Sequence, residues 1–130
     1  MGAERMRLLR TGDGAVLCRR LVMGESFGRR FMGLMGRASM DGDEGLWLPT
    51  SSIHMLFMRF PIDALFVGGA DREGHRSVVS VREELPPWRG LVLPVRGAQG
   101  VIELPAGTLA RHGVSVGDEV AFERVDTPIR

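Results

Sequence analysis

Five ionisable residues lie in or beside apolar runs, and their placement suggests the chemistry available to this chain. Three fall in the stretch HMLFMRFPIDALFV, residues 54–67: His54, Arg59 and Asp63. Glu103 is the single acid of GVIELPAG, and Arg30 borders an apolar stripe in ESFGRRFMGLMGR. Arg59 and Asp63 share strand parity. In an unbroken strand they stand ~13 Å apart, at about 3.3 Å per residue. Pro61 lies between them and cannot donate to a sheet ladder, so the run is expected to bend near RFPID and bring the pair closer. The plainest expectation is an ion pair that closes this bend, its carboxylate also accepting backbone N–H groups. The functional alternative leaves Arg59 free to bind an anion.

His54 shares strand parity with Leu56, Met58, Phe60, Ile62 and Phe66, where a histidine is most simply a hydrogen-bonded core residue. It is also a candidate general base. Arg30 follows Phe27 by three residues and precedes Leu34 by four, so it rims the apolar face of the expected helix. An arginine so placed can clamp a buried carboxylate, with Asp63 and Glu103 as candidates. If those two acids meet, proximity raises one pKa and an acid pair becomes available.

Other chemistries find less support. One cysteine, Cys18, excludes an internal disulfide and a zinc site built on several thiolates; within AVLCRR it reads as a small buried hydrophobe. His54, His75 and His112 have no ligand spacing, and DGDEG lacks the twelve-residue calcium pattern. FMGLM and HMLFM place methionines where core packing requires them, so no metal or cofactor is expected. GGADREG lacks the lysine and following helix of a phosphate loop, and SSIH lacks the strand–turn–helix elbow of a nucleophilic serine.

The elements that must carry these residues are short. AVLCRRLVM reads as a strand with Leu17, Leu21 and Met23 on one side. ESFGRRFMGLMGR changes to a helical period, with Phe27, Phe31, Leu34 and Met35 in one stripe, Ser26 as N-cap and Gly33 and Gly36 weakening the helix. GLWLP is a strand. ALFV is expected to pair with RSVVSVRE across GGADREGH, and QGVIELP forms another strand after the rigid LPPWRG. GTLARHG makes about two helical turns with Gly113 as its left-handed terminus. In the last strand Val120 and Phe122 alternate with Glu119 and Glu123. The eighteen glycines are spread along the chain, which favours many short elements joined by turns. Six or seven short strands with one or two short helices predict a mainly β, compact barrel or sandwich, with an open α+β sheet as the alternative.

A chain of 130 residues is expected to form a single domain, residues 1–130. With 44% hydrophobic residues it can bury an ordinary core. All seventeen basic residues are arginine, and lysine, asparagine and tyrosine are absent, the signature of GC-rich codons rather than of phosphate binding. A formal net charge of +1 argues against a dedicated nucleic-acid or membrane-surface protein. The first residues lack an apolar core with a cleavage site, and the longest apolar run is too short to span a bilayer. A soluble, cytoplasmic protein is expected.

Several stretches together resemble one bacterial and archaeal family, the domain of unknown function 192. RFMGLMGR is similar to its Arg-x-x-Gly-Leu-Met-x-Arg signature, GLWL with IHMLFMRFPIDALFV to its central segment, VIELPAG to its Leu-Glu-Leu-Pro-Ala-Gly strand end, and GVSVGDEV to its Gly-Asp turn. The resemblance runs from about Leu21 to Val125. It implies a compact, mainly β domain and matches the family pattern at Arg30, Gly33, Leu34, Met35, His54, Met58, Arg59, Asp63, Glu103, Gly107, Gly117 and Asp118. It implies no established activity. Many members look secreted or lipid-anchored because of an N-terminal signal, and this chain is expected to depart from those.

Three functions follow as expectations. The first is a non-catalytic binding module for a small anionic ligand or a peptide segment, with Arg30, His54, Arg59, Asp63 and Glu103 at its site. The second is a hydrolase using Asp63, Glu103 and His54, which requires those side chains to converge. The third is a single-stranded nucleic-acid binder using a barrel face, opposed by the near-zero net charge.

Overall fold

The computed structural model describes residues 5–23 and 37–125. The expected helix 25–37, with Arg30 on its rim, lies outside the described residues except for Arg37.

Among the described residues, nine strands and one short helix follow in the order β1 (Arg5–Arg10), β2 (Val16–Met23), β3 (Glu44–Leu48), β4 (Ile53–His54), β5 (Ile62–Val67), β6 (His75–Leu85), β7 (Leu91–Val92), β8 (Gly100–Pro105), α1 (Thr108–His112) and β9 (Glu119–Val125). Seven of them close into a barrel ordered β1-β2-β3-β8-β5-β6-β9, and β4 and β7 form a separate two-stranded ribbon. The structure is therefore mainly β and closed, and the open sheet does not form. Among the described strands, only the β2–β3 pair is parallel. The expected hairpin of ALFV with RSVVSVRE is β5–β6, and Gly113 ends α1 in the left-handed region at φ 62°.

The strand β1 carries little local signal. Its RMRLLR is half arginine, which hides the one side chain facing fully inward, Leu8. The flanking charges are taken up across the barrel seam, where Arg7 sits opposite Glu123 and pairs with it. In β2 the simple alternation also fails. Leu17 and Cys18 are both buried and Arg19 and Arg20 both exposed, because register shifts against β1 interrupt the pleat.

Two apolar cores share one sheet. The barrel interior holds Leu8, Leu17, Cys18, Leu21, Leu65, Val67, Ile102, Leu104 and Val120, closed off by Leu109 of α1. Outside the barrel wall, Leu46, Ala64, Phe66 and Val101 pack beneath Ile53, Met55, Met58, Phe60 and Val92. These last five come from the β4–β7 ribbon and the segment between β4 and β5, a flap laid over β3, β8 and β5. Every residue of β5 is consequently buried. This double burial explains why ALFV is continuously apolar instead of alternating.

The Val67 end of the barrel is closed by stacked rings. Trp47 and Phe122 meet edge to face at 5.0 Å, and the Arg76 guanidinium lies 4.7 Å from the Trp47 ring centre. Burial lowers the Arg76 pKa, while its Nη1 donates to the Gly68 carbonyl at 2.9 Å. The opposite end is closed by α1.

Candidate functional site

Pro61 does break the 54–67 run, separating β4 from β5, but no Arg59–Asp63 ion pair closes the break among the described residues. Asp63 is fully buried at the α1 end of the barrel. Its Oδ1 accepts the Glu84 N–H at 2.9 Å, and its Oδ2 accepts the N–H groups of Gly107 and Leu109 at 3.1 and 2.9 Å. The carboxylate therefore ties β5 to the end of β6 and to the start of α1. Arg59 points into solvent. The expectation of backbone donors on Asp63 holds; the expected ion pair does not, because three fixed amides already occupy the carboxylate.

Glu103 is buried on the other side of the same wall. Asp63 pairs with Leu104, whose side chain enters the barrel, whereas Glu103 pairs with Ala64 and Leu46 of the outer core. Directly opposed residues share a sheet face, so Asp63 and Glu103 face opposite ways. They do not form an acid pair. Glu103 Oε1 has no hydrogen-bond partner among the described residues, and burial pushes its pKa up to about 7.

His54 is exposed rather than part of an apolar strand face, because β4 ends there and the parity linking it to Met58 and Phe60 is lost in the turn. Its Nδ1 accepts the Leu56 N–H at 3.3 Å. His54 is paired with Leu91, so both lie on the outer side of the ribbon, while Ile53 and Val92 face the core. Of the four candidates among the described residues, only His54 and Arg59 share the flap surface. Asp63 is buried inside the barrel and Glu103 in the outer core beneath the flap, and Arg30 is outside the described residues.

The most conspicuous flap residues were not among those candidates. One carbonyl oxygen, that of Met55, accepts N–H groups from both Met58 at 3.0 Å and Trp88 at 2.8 Å. It joins the turn 55–58 to the turn 86–90. Phe57 and Trp88 occupy these turns, each at φ 68°, a region that normally calls for glycine or asparagine. Their rings stack edge to face at 5.1 Å, yet they remain 54% and 52% exposed. Leu56 and Leu91 add further exposed apolar surface. Arg59 lies two residues beyond Phe57 and Arg89 follows Trp88, both exposed. One signal for this surface was legible: residues 49–61 and 86–99 contain no acid.

A second group could hold a cation. Asp71, Glu73 and His75 in the β5–β6 loop offer ligand atoms within 4.8 Å of one another. Asp71 Oδ1 is already engaged, accepting N–H groups from Glu73 and His75, which shapes the hairpin turn. Cys18 is inert by position, its thiol pushed up to about 11 by burial.

Fold and flap together define a small closed β-barrel with an apolar, arginine-bearing flap. The chain belongs to the domain of unknown function 192 family, described as uncharacterized ACR, whose model matches residues 9–122. It is 32% identical to a UPF0127 protein of Thermococcus sibiricus over 89% of this chain and 74% of that protein. Against UPF0127 protein PF1050 of Pyrococcus furiosus the identity is 36%, over 58% of this chain and 59% of the relative. A crystal structure from Sinorhizobium meliloti 1021, named "putative transcription regulator", superposes with a TM-score of 0.66 at 27% identity, covering 92% of each chain. A protein of unknown function from Novosphingobium aromaticivorans has the same fold, with a TM-score of 0.65 at 24% identity over 88% of this chain and 81% of that one. Among the described residues no helix is long and apolar enough to cross a membrane.

Proposed function

We propose that this protein is a non-catalytic binding module whose binding face is the flap, and that its ligand is anionic, a small molecule or a peptide segment. The observation that carries this reading is the Phe57–Trp88 pair. A left-handed backbone costs a bulky residue about 1–2 kcal/mol. Keeping two large rings half in water forgoes further burial. Folding gains little from either feature, whereas binding gains a rigid, pre-organised contact surface. Arg59 and Arg89 supply the positive groups around it.

Hydrolysis by Asp63, Glu103 and His54 is not proposed. The two acids face opposite sides of one sheet and His54 lies on the flap's outer surface, so no common point is within reach of all three.

Backbone amide NMR shifts during titration with inorganic phosphate, di- and tricarboxylates, nucleotides and acidic peptides test the reading. Shifts confined to residues 54–59 and 88–91, and weakened in Arg59→Ala, are expected. Shifts centred on the β1–β9 side of the barrel, or none with any probe, overturn it.

A further inference from the structure

Charge is segregated along this chain, and the net value of +1 conceals it. The flap segments 49–61 and 86–99 carry three arginines and no acid, while the rest of the chain carries fourteen arginines and all sixteen acids. Segments free of carboxylates that expose Leu56, Phe57, Trp88 and Leu91 complement a partner that is both acidic and apolar. Deepening the binding reading above, on which it rests, we propose that the flap binds a short acidic peptide segment with apolar side chains set among its carboxylates.

The apolar component excludes a simple anion as the full ligand. Phosphate or a dicarboxylate can meet Arg59 and Arg89, but it leaves the exposed rings and leucines wet. Those side chains together offer surface of the order of a few hundred Å², typical of a contact patch on a monomer. Trp, Phe and Arg are also the residue types that anchor peptide and protein interfaces.

The surroundings select a short segment over a polyanion. Glu83 and Glu84 are exposed immediately before the turn that carries Trp88. Beyond the flap, acids outnumber arginines. A nucleic-acid strand or an anionic bilayer extends farther than a Debye length of about 8–10 Å and meets those acids. A short peptide can contact the acid-free segments alone. Among the described residues, β4 and β7 each have one hydrogen-bonded neighbour, so the ribbon retains an edge for main-chain contacts with an extended segment.

Fluorescence anisotropy on the full chain tests this with a labelled peptide alternating Asp or Glu with Leu and Phe. Controls replace its acids with amides, or its apolar residues with serine. The test peptide is expected to bind, with each control at least about tenfold weaker. Trp88→Ala, and separately Arg59→Ala with Arg89→Ala, should weaken binding about tenfold or more, with the unfolding midpoint holding the fold as control. Failure of the test peptide to bind, or binding indifferent to all these substitutions, overturns the proposal. Oligothymidylate and phosphatidylserine vesicles separate it from the reading beneath it. If one of them binds through Trp88 and the arginines while the peptide does not, the peptide partner is wrong and the anionic flap stands. If no probe responds to these substitutions, both are wrong.

Discussion

Asp63 and Glu103 are one register step apart on hydrogen-bonded strands and face opposite sides of the barrel wall. Inside, Asp63 holds three backbone N–H groups; outside, Glu103 Oε1 has no partner among the described residues. The same chemical group thus secures the fold in one place and opposes burial in the other.

Glu103 makes stability depend on pH in a defined direction. Burial raises its folded pKa from 4.5 to about 7, so the neutral form is favoured in the folded state. The associated stability is fully present below about pH 4.5 and is lost as pH rises through about 7, because the unfolded chain ionises first. The loss across that window is on the order of 3 kcal/mol. Glu103→Gln should abolish this component, and the difference between the two denaturation profiles should flatten above pH 7. Parallel profiles throughout the window would contradict it. Glu44, held below its usual range chiefly by its hydrogen bonds from Arg37, works in the opposite sense and loses its contribution at lower pH.

Asp63→Ala leaves the N–H groups of Glu84, Gly107 and Leu109 without their acceptor. A charged acceptor of several buried donors supports about 3 kcal/mol or more. Urea unfolding should show a loss of that size, with faster amide exchange at the start of α1. Asp63→Asn should also destabilise, since its NH₂ cannot accept from the amides that Oδ2 serves.

Gly100→Ala tests the ring-stacked end of the barrel. An added Cβ would overlap the ring of Trp47, which packs on Phe122 and Arg76. Overpacking of this kind costs about 1–3 kcal/mol. A lowered thermal midpoint and a changed Trp47 environment in near-UV circular dichroism are expected.

Glu84 stands at φ 52° with an exposed side chain, and its N–H binds Asp63. Glu84→Gly removes the left-handed penalty of about 1–2 kcal/mol at some cost in chain entropy. The net expectation is a gain of up to about 1 kcal/mol by chemical denaturation. A loss would place the contribution of Glu84 in its side chain rather than its backbone.

Binding at the flap should weaken with salt, since its charged contacts are exposed and screened at physiological ionic strength. Anisotropy titrations between low and high salt should show the acidic peptide losing affinity while the apolar contribution persists.

By itself, the sequence determined the elements whose signals are local. Alternation marked β9, a turn-rich loop between apolar runs marked β5–β6, and Gly113 marked the end of α1. Pro61 marked a break for a covalent reason, the missing N–H. The family was legible in the order and spacing of several short motifs. Only the tertiary structure decided what the embedded ions do. Facing in a sheet depends on register between distant strands, so nothing near Asp63 or Glu103 in the chain reveals that one faces α1 and the other the outer core. Nor does local sequence distinguish Phe57 and Trp88 from core aromatics. Their pairing depends on two turns far apart in the chain that meet at the Met55 carbonyl, a contact that local sequence does not encode.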